Sequence, residues 1–567
     1  MVRNWLSMCR TWHGSHCDRS ELLSYQAHTS ISEIPHFRLI DVVDNCILCS
    51  PGNDTKYVAL SYLWGRIDPN SILTLCLSNL SELETLGGLL LPHNYYKIPI
   101  TIRDAMHIVR ELRYRFLWVD SLCIIQDDVK TKMLAIPNIG EVFGKAHLTI
   151  IAGSGNSANV GLPGVQPASR GTSQAIEEIH PGLRLCFRPR YQDHIEGAAY
   201  FHRAWQFQEQ KYAKRTLIFI GGQVVFKCMR AEWREDVVVE HRHSRYCRIE
   251  RLGSWDPDDI EQYEQAMKSY SSRVLTRDSD IYHAFAAMIR HFQVQLKVDL
   301  CHGIPVAYFD WFILWTSLSP GTRRSNTPSW SWFGWRGESF PNISYWYDHS
   351  IKRIRKALRQ RTWIIWYQRQ GHDVEGCSRI WTPQRRPTSS SPRNFYGSRV
   401  ESRFPFDCTQ TIPTPRTLVR APQYLEDSYN TTPGSGFLQF WTVSVTFRLD
   451  KPVSRDDDEV IVNTGLRVGI FGRDGRELGT TFVNHEWMNA SASDIHEFIL
   501  LCEDDEEGWK YKMMLIEWHG WRDDSPYKGT TGLHGDWAER ISLGSIEKED
   551  LDQALGEGPM WKEIILG

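Results

Sequence analysis

Short apolar runs alternate with amphipathic stretches over the first third of the chain. Three runs, at 57–62, 116–120 and 146–152, have the length and composition of buried strands. Between the first two, apolar residues recur at helical spacing over 105–112. Because strand–helix–strand units join through right-handed crossovers, this order predicts a parallel sheet with helices packed on it.

Two further patterns flank this predicted sheet. Apolar residues at helical spacing from 5 to 12 precede a short apolar run at 37–42, which predicts a helix and then a strand. The runs 217–220 and 224–228 enclose two glycines, a pattern typical of a β-hairpin.

Composition shifts divide the chain into segments. Helical periodicity dominates 256–297, aromatic residues are dense over 300–340, and a Pro-, Ser- and Arg-rich stretch precedes a β-rich end. We predict an N-terminal arm at 1–50, an α/β core at 51–230, a mainly helical Trp-rich region at 231–345, a basic, Pro/Ser-rich and disordered insertion at 346–435, and a β-rich region at 436–567.

The overall composition is that of a folded protein and excludes several classes. Of 567 residues, 41% are hydrophobic, and the formal net charge of −3 favours neither nucleic acid nor a membrane as a partner. The 13 cysteines are odd in number and irregularly spaced, which argues against a disulfide scaffold. Residues 1–10 lack the apolar core of a secretory signal. We therefore expect a cytoplasmic protein.

The predicted core carries a family resemblance. The chain resembles fungal heterokaryon-incompatibility (HET) domain proteins in a series of short motifs. These are Arg38-Leu-Ile-Asp41, Tyr57-Val-Ala-Leu-Ser-Tyr-Leu-Trp-Gly65, Ile98-Pro-Ile-Thr-Ile-Arg-Asp-Ala105, Leu117-Trp-Val-Asp-Ser-Leu-Cys-Ile-Ile-Gln-Asp-Asp128, Ala146-His-Leu-Thr-Ile150, Gly161-Leu-Pro-Gly164, Arg203-Ala-Trp-Gln-Phe-Gln-Glu209 and Pro328-Ser-Trp-Ser-Trp332. The resemblance implies non-self recognition between fungal strains that ends in cell death, with a non-self protein as partner and homo-oligomers left open.

Three departures from the family pattern are present. The family's Arg-Gly-Trp-Thr reads Arg203-Ala-Trp-Gln206 here. Leu63 stands where the family often has a cysteine. Pro137 falls inside a helix that the family pattern expects between 128 and 146. Since a proline in a helix interior costs about 3 kcal/mol, we expect that helix to be broken.

The order of the motifs is also similar to that of a TIR domain, which has a flavodoxin-like parallel sheet. The matching pieces are Ser61-Tyr62, Trp118-Val-Asp120 and Trp205-Gln-Phe-Gln-Glu209. Some TIR domains cleave NAD at the nicotinamide–ribose bond with the glutamate of the last motif. The resemblance implies Glu209 as the catalytic residue and NAD as a substrate, with no cofactor. The candidate substrate-binding residues are Ser61, Tyr62, Trp64, Gly65, Asp120 and Trp205.

The chemistry of that reaction is compatible with these residue types. Cleaving the bond generates an oxocarbenium-like ribose, which a neighbouring carboxylate stabilises. Trp205 and Glu209 are four residues apart, so a helix presents both on one face. Ligands of open parallel sheets bind outside the carboxyl ends of the strands, where we expect Ser61 and Asp120. No Gly-x-Gly-x-x-Gly follows the first strand, which argues against a Rossmann dehydrogenase.

Each candidate also has a purely structural interpretation. Glu209 could pair with Lys211 or Arg215 on a solvated helix, Trp205 could belong to the core, and Asp120 could cap a turn. Under the catalytic hypothesis, we expect Glu209→Gln to leave stability almost unchanged, because a carboxylate in a cleft contributes little to it. The alternative function is a non-catalytic recognition or scaffold protein that triggers death through protein partners.

One N-terminal motif invites a zinc interpretation. It is Cys9-x3-His13-x2-His16-Cys17, and the pair Cys46-x2-Cys49 could add ligands. The spacing is not that of a standard zinc finger. We assign no metal ligand from the sequence and leave metal binding by this motif open.

Overall fold

The computed structural model describes most of the chain in two compact units. The described residues are 1–18, 34, 36–49, 51–68, 71–170, 176–186, 191–237, 260–317, 321–341, 362–369, 376–380, 408, 410–418, 436–450, 465–491, 493–504, 510–520 and 536–567. The first unit comprises Met1–Asp256 and His283–Gln295, and the second comprises Pro257–Tyr282 and Leu296–Gly567.

The first unit is an α/β structure. Its helices are α1 (Val2–His13), α2 (Leu80–Leu83), α3 (Pro92–Tyr95), α4 (Ile100–Glu111), α5 (Asp120–Cys123), α6 (Val129–Ala135), α7 (Ile139–Lys145), α8 (Tyr191–Gly197) and α9 (Trp205–Tyr212). Its strands are β1 (Arg38–Asp41), β2 (Cys46–Cys49), β3 (Tyr57–Ser61), β4 (Phe116–Trp118), β5 (Leu148–Ala152), β6 (Ile176–His180), β7 (Leu183–Cys186), β8 (Arg215–Ile220), β9 (Gln223–Cys228) and β10 (Glu232–Arg234).

Eight of these strands form one sheet in the order β10-β9-β8-β5-β3-β4-β1-β2. The four central strands, β8, β5, β3 and β4, are parallel, as predicted for the three apolar runs. Antiparallel strands flank them on both sides, with the predicted hairpin β8–β9 on one and β1–β2 on the other. The central strands are continuous apolar runs because helices cover both faces of such a sheet.

Two local expectations are refined by the first unit. The strand predicted at 116–120 ends at Trp118, and Asp120 instead begins the short helix α5. The expected break at Pro137 is confirmed, because a 3-10 turn at Ile136–Asn138 separates α6 from α7. The missing amide hydrogen of proline explains the interruption.

The second unit is dominated by strands. Its helices are α10 (Glu261–Ser271), α12 (Phe309–Phe312) and α13 (His485–Ala490); α11 (Ile281–Leu296) lies mostly in the first unit. Its short strands are β11 (Leu300–Cys301), β12 (Ile304–Pro305), β13 (Trp315–Thr316), β14 (Thr322–Arg323), β15 (Trp335–Arg336), β16 (Phe340–Pro341), β17 (Tyr367–Arg369) and β18 (Cys377–Arg379). The long ones are β19 (Leu438–Asp450), β20 (Gly465–Phe471), β21 (Glu477–Asn484), β22 (Ile495–Asp504), β23 (Lys510–His519), β24 (Trp537–Glu547) and β25 (Met560–Leu566).

The β-rich C-terminal region is confirmed. β19, β20, β21, β24, β23 and β22 pair in that order, and β22 pairs back with β19, so six strands close into a ring. Apolar side chains alternate with polar ones in the middle of β19, as at Val443, Val445 and Phe447, and the polar residues Thr442 and Ser444 on either side of Val443 are buried as well. Gly475, whose φ is 78°, lies in the turn that joins β20 to β21.

The region predicted as mainly helical is helical only in its first part. After α11 the chain forms two-residue strands and 3-10 turns around buried tryptophans. Trp330 and Trp332 are fully buried, and their indole nitrogens donate to the carbonyl of Gly436 at 3.0 Å and the hydroxyl of Tyr263 at 3.1 Å. The aromatic residues here form a core although most of the backbone is irregular. Helical periodicity in the sequence cannot predict such a core.

The prediction of a disordered insertion at 346–435 is wrong for part of that segment. β17 pairs with both β18 and β19, and Trp363, Ile364 and Arg369 are almost fully buried. The Arg369 guanidinium donates to Oε1 of Gln439 at 2.5 Å. This bond gives the buried charge of Arg369 a partner 70 residues later in the sequence. The stretches 381–407 and 419–435 lie outside the described residues.

Within the described ranges, no helix combines the length and apolar character needed to cross a membrane.

Candidate functional site

The carboxyl end of β3 holds the first candidate residue. Ser61 is the last residue of β3 and is 1% exposed. Its hydroxyl donates to Oε2 of Glu209 and also contacts the hydroxyl of Tyr200. The chain passes from β3 to β4 on one side and then to β5 on the other, so Ser61 lies where the crossovers change direction. Such switch points form crevices that bind ligands in open α/β sheets.

Glu209 is held in a half-buried position on α9, one turn after Trp205. Burial raises the pKa of its carboxyl from 4.5 to about 8, and the negative charge of Asp120 acts in the same direction. The hydrogen bond from Ser61 and the positive charge of Arg203 lower that pKa. At pH 7 the unliganded protein therefore holds Glu209 mainly in its protonated form.

This environment changes the expectation for Glu209→Gln. A half-buried carboxyl whose pKa is raised destabilises the fold at neutral pH, because the unfolded chain ionises it more readily. Stability is thus expected to rise in the variant, rather than stay unchanged. The alternative pairing with Arg215 is not what the structure contains, since the Arg215 guanidinium binds Asp18 at 2.7 Å.

Asp120 lies at the carboxyl end of the neighbouring strand β4. One carboxylate oxygen accepts from the indole nitrogen of Trp64 at 2.9 Å, and the other accepts from the backbone nitrogen of Ser121 at 2.7 Å. Burial raises the pKa of this carboxyl, while the hydrogen bond from Trp64 lowers it. The buried hydroxyl of Tyr62 donates to Ser121 Oγ at 3.0 Å, which ties the two strand ends together.

The remaining candidates are Gly65, which follows Trp64, and Trp205, which precedes Glu209 by four residues. Gly65 has a φ of 76°, and a Cβ there would lie 2.5 Å from Ser157 and 2.6 Å from the carbonyl of Asn156. Glycine is thus required by the close approach of two backbone segments. Trp205 is half-buried at the first position of α9.

The structure therefore joins the candidates into two hydrogen-bonded groups with electrostatic coupling between them. One group is Ser61 with Glu209, and the other is Trp64 with Asp120. The negative charge of Asp120 raises the pKa of Glu209. Glu209, whose pKa is about 8, can donate or accept a proton near neutral pH beside a second acid, Asp120, whose pKa is also raised.

Two functional neighbours were missed by the sequence analysis. Tyr200 is fully buried and contacts Ser61, but it carries no local pattern that separates it from core aromatics. Arg203 lowers the pKa of both acidic residues, and its place in the motif that ends at Glu209 could have identified it.

Other features of this unit do not belong to the cluster. Cys123 is buried, and burial raises the pKa of its thiol to about 12, so it is a poor nucleophile. An open groove of about 510 Å³ lies at the amino end of β4, lined by residues that include Arg110, Arg113 and Arg115. That groove is at the opposite end of the parallel strands from Ser61.

Comparisons with known proteins address the same region. Residues 57–209, from the first residue of β3 to Glu209, match the family model for heterokaryon incompatibility protein (HET). This match covers about a quarter of the chain. All seven candidate residues lie within the matched range.

A curated relative matches part of the chain. Heterokaryon incompatibility protein 6, OR allele, of Neurospora crassa is 27% identical over 146 residues, which cover 23% of this chain. The match covers 20% of that relative's length. No solved structure matches the chain significantly.

Proposed function

We propose that this protein acts in fungal heterokaryon incompatibility and that its HET domain cleaves the nicotinamide–ribose bond of NAD. The first part rests on the HET match and on the name of the Neurospora crassa relative. The second part assigns Glu209 as the carboxylate beside the reacting ribose. On this proposal a non-self protein partner raises the basal rate of the reaction, and the loss of NAD leads to cell death.

The contact between Ser61 and Glu209 is the observation that carries the enzymatic proposal. It joins residues 148 positions apart in sequence at the carboxyl end of β3. Numbered along the chain, the four parallel strands stand in the order 2-1-3-4, which is that of the flavodoxin-like folds to which TIR domains belong. The departure is at the next position, where β9 runs antiparallel.

In this reaction the protein's main role is to stabilise charge rather than to form covalent bonds. The bond between the ribose C1′ and the nicotinamide nitrogen breaks, and its electron pair leaves with neutral nicotinamide. Water then attacks C1′ and releases a proton. A carboxylate at Glu209 stabilises the positive charge that develops on the ribose. It is held by Ser61, whose hydroxyl also contacts Tyr200, so it needs no reorganisation to do so.

The raised pKa of Glu209 fits this role once the substrate is considered. At pH 7 the unliganded carboxyl is mainly protonated. The nicotinamide ring of NAD is cationic, and a positive charge nearby favours the ionised carboxylate. On this proposal the Glu209 carboxyl is neutral without NAD and becomes ionised when NAD binds.

Expression in a fungal host tests the whole proposal. Wild type, Glu209→Gln and the matched control Glu177→Gln, an exposed residue of β6, are scored for cell death and cellular NAD. We expect NAD loss and death with wild type and the control, and neither with Glu209→Gln. Death with all three proteins at constant NAD contradicts the enzymatic part.

That contradicting result favours the second candidate function. A recognition or scaffold protein kills by recruiting partners, and the second unit, with its closed ring of six strands, is larger than a hydrolase site requires. Under this function, death depends on the second unit and is indifferent to Glu209.

A further inference from the structure

Four side chains with soft donor atoms converge beside the sheet of the first unit, outside the matched HET range. Cys9 and His13 lie on α1, Cys17 ends the 3-10 turn that follows it, and Cys228 is the last residue of β9. Their ligand atoms all lie within 4.8 Å of one another, and the three cysteines are buried.

The local sequence explains how the first three meet. Cys9 and His13 are four residues apart, so they share one face of α1. Gly14, with a φ of 51°, ends the helix, and the 3-10 turn brings Cys17 back toward that face. Cys228 reaches the same point from β9, 215 residues after His13.

The distances suit a single tetrahedral metal ion. Zinc–sulfur and zinc–nitrogen bonds of about 2.3 and 2.0–2.1 Å place tetrahedral ligands about 3.5–3.8 Å apart. The Cys228 sulfur and His13 Nδ1 are 3.4 Å apart, and the widest pair needs to close by only about 1 Å. Three thiols and an imidazole without a carboxylate form a donor set that zinc prefers.

A buried cation and an aromatic ring border the four ligand atoms. Arg215, whose side chain is fully buried, donates from Nε to the Cys9 sulfur at 3.4 Å and binds Asp18 at 2.7 Å. Three thiolates and Zn²⁺ carry one net negative charge, which this guanidinium offsets. The His13 ring stacks on Trp233 at 5.7 Å, so its orientation is fixed from the other side.

We propose that Cys9, His13, Cys17 and Cys228 bind one structural Zn²⁺ that fastens α1 to the edge of the sheet. The site is closed by four protein ligands, which is the arrangement of structural rather than catalytic zinc. It differs from the set the sequence suggested. His16 is exposed, and Cys46 lies on β2 at the opposite edge of the sheet from β9 and β10.

A disulfide is the competing fate of these thiols. No disulfide joins the described cysteines, and three clustered thiols cannot all pair. One disulfide within the cluster leaves the third sulfur and the His13 ring unused, whereas zinc uses all four donors.

Metal analysis of the purified full-length protein tests the proposal. We expect about one zinc per chain for wild type, its loss in Cys228→Ala, and its retention in the control Cys186→Ser, an exposed cysteine on β7. Metal-free wild type with a disulfide within the cluster overturns the proposal, as does full zinc retention in folded Cys228→Ala.

A second measurement uses only wild type, in case the variant does not fold. Native alkylation is followed by mass spectrometry with and without a zinc chelator. We expect Cys9, Cys17 and Cys228 to react at least tenfold faster after chelation, while Cys186 reacts equally in both. Equal rates for the three cysteines in both conditions contradict zinc binding.

Discussion

The pH dependence of stability offers a sharp test of the environment assigned to Glu209. Its carboxyl has a pKa of 4.5 in an unfolded chain and about 8 in the fold. Below pH 4.5 both states are protonated, and the group costs nothing. As the pH rises toward 8, only the unfolded chain ionises, so the fold loses stability over that window.

The size of the effect follows from the shift. One pKa unit corresponds to about 1.4 kcal/mol, so the fold loses roughly 3 kcal/mol by pH 7 and about 4 kcal/mol by pH 8, where the folded carboxyl is itself half ionised. Glu209→Gln keeps the size of the side chain and removes the titration. We therefore expect the variant to be more stable than wild type by these amounts, which corresponds to roughly 6–12 °C in Tm at pH 7.

The assay is thermal unfolding of wild type and variant across pH 4.5–8.5 in one buffer series, followed through the transition of the first unit. Two charged neighbours modulate the result, since Asp120 raises the pKa of Glu209 and Arg203 lowers it. Asp120→Asn should accordingly lower the pH at which the loss due to Glu209 levels off and reduce its size, while the onset near pH 4.5 stays fixed by the unfolded chain. The exposed Glu177→Gln control should show no pH-dependent difference.

A difference in Tm between wild type and Glu209→Gln that stays constant over the whole window refutes this reasoning. It would mean that Glu209 titrates alike in the folded and unfolded states. A variant that is less stable at pH 7 refutes it as well, because the hydrogen bond to Ser61 would then outweigh the cost of burial.

Three further outcomes are expected. Catalytic efficiency toward NAD should increase as the pH rises toward 8, because the ionised form of Glu209 is the active one; a pH profile of kcat/KM that falls over this range contradicts it. Gly65→Ala should lower the Tm of the first unit, since its Cβ meets the backbone at Asn156 and Ser157, and calorimetry measures the drop. Trp330→Ala should destabilise the second unit by about 3–5 kcal/mol in urea unfolding, because a fully buried indole and its hydrogen bond are lost; an unchanged midpoint contradicts the packing described.

Local patterns were sufficient for the elements that make up the parallel sheet. β3, β5 and β8 are short runs of buried apolar residues, and such runs are visible in sequence because both faces of the strands are covered. The C-terminal region was predicted only as β-rich, without its strand pairing. The average composition of 346–435 predicted disorder, which is wrong for the part that contains β17 and β18. The strand β17 is ordered by its pairing with β19, about 70 residues later, and no local pattern reports that.

The candidate site shows the same division between local and distant information. The order of motifs indicated Ser61 and Glu209 separately, but their contact spans 148 residues and depends on the crossovers of the sheet. The cluster at Cys9 is a parallel case. Its N-terminal members were visible as a motif, whereas Cys228 lies on a distant strand, and no spacing rule connects it to them.

Release of nicotinamide by the purified protein tests the central claim most directly. Wild type and Glu209→Gln are incubated with NAD, and free nicotinamide is quantified by chromatography over time, with Glu177→Gln as the matched control. The account predicts release by wild type and the control, and a rate lower by on the order of 10²–10³ for Glu209→Gln. Equal nicotinamide release by folded wild type and Glu209→Gln, or no release by any of the three, contradicts it.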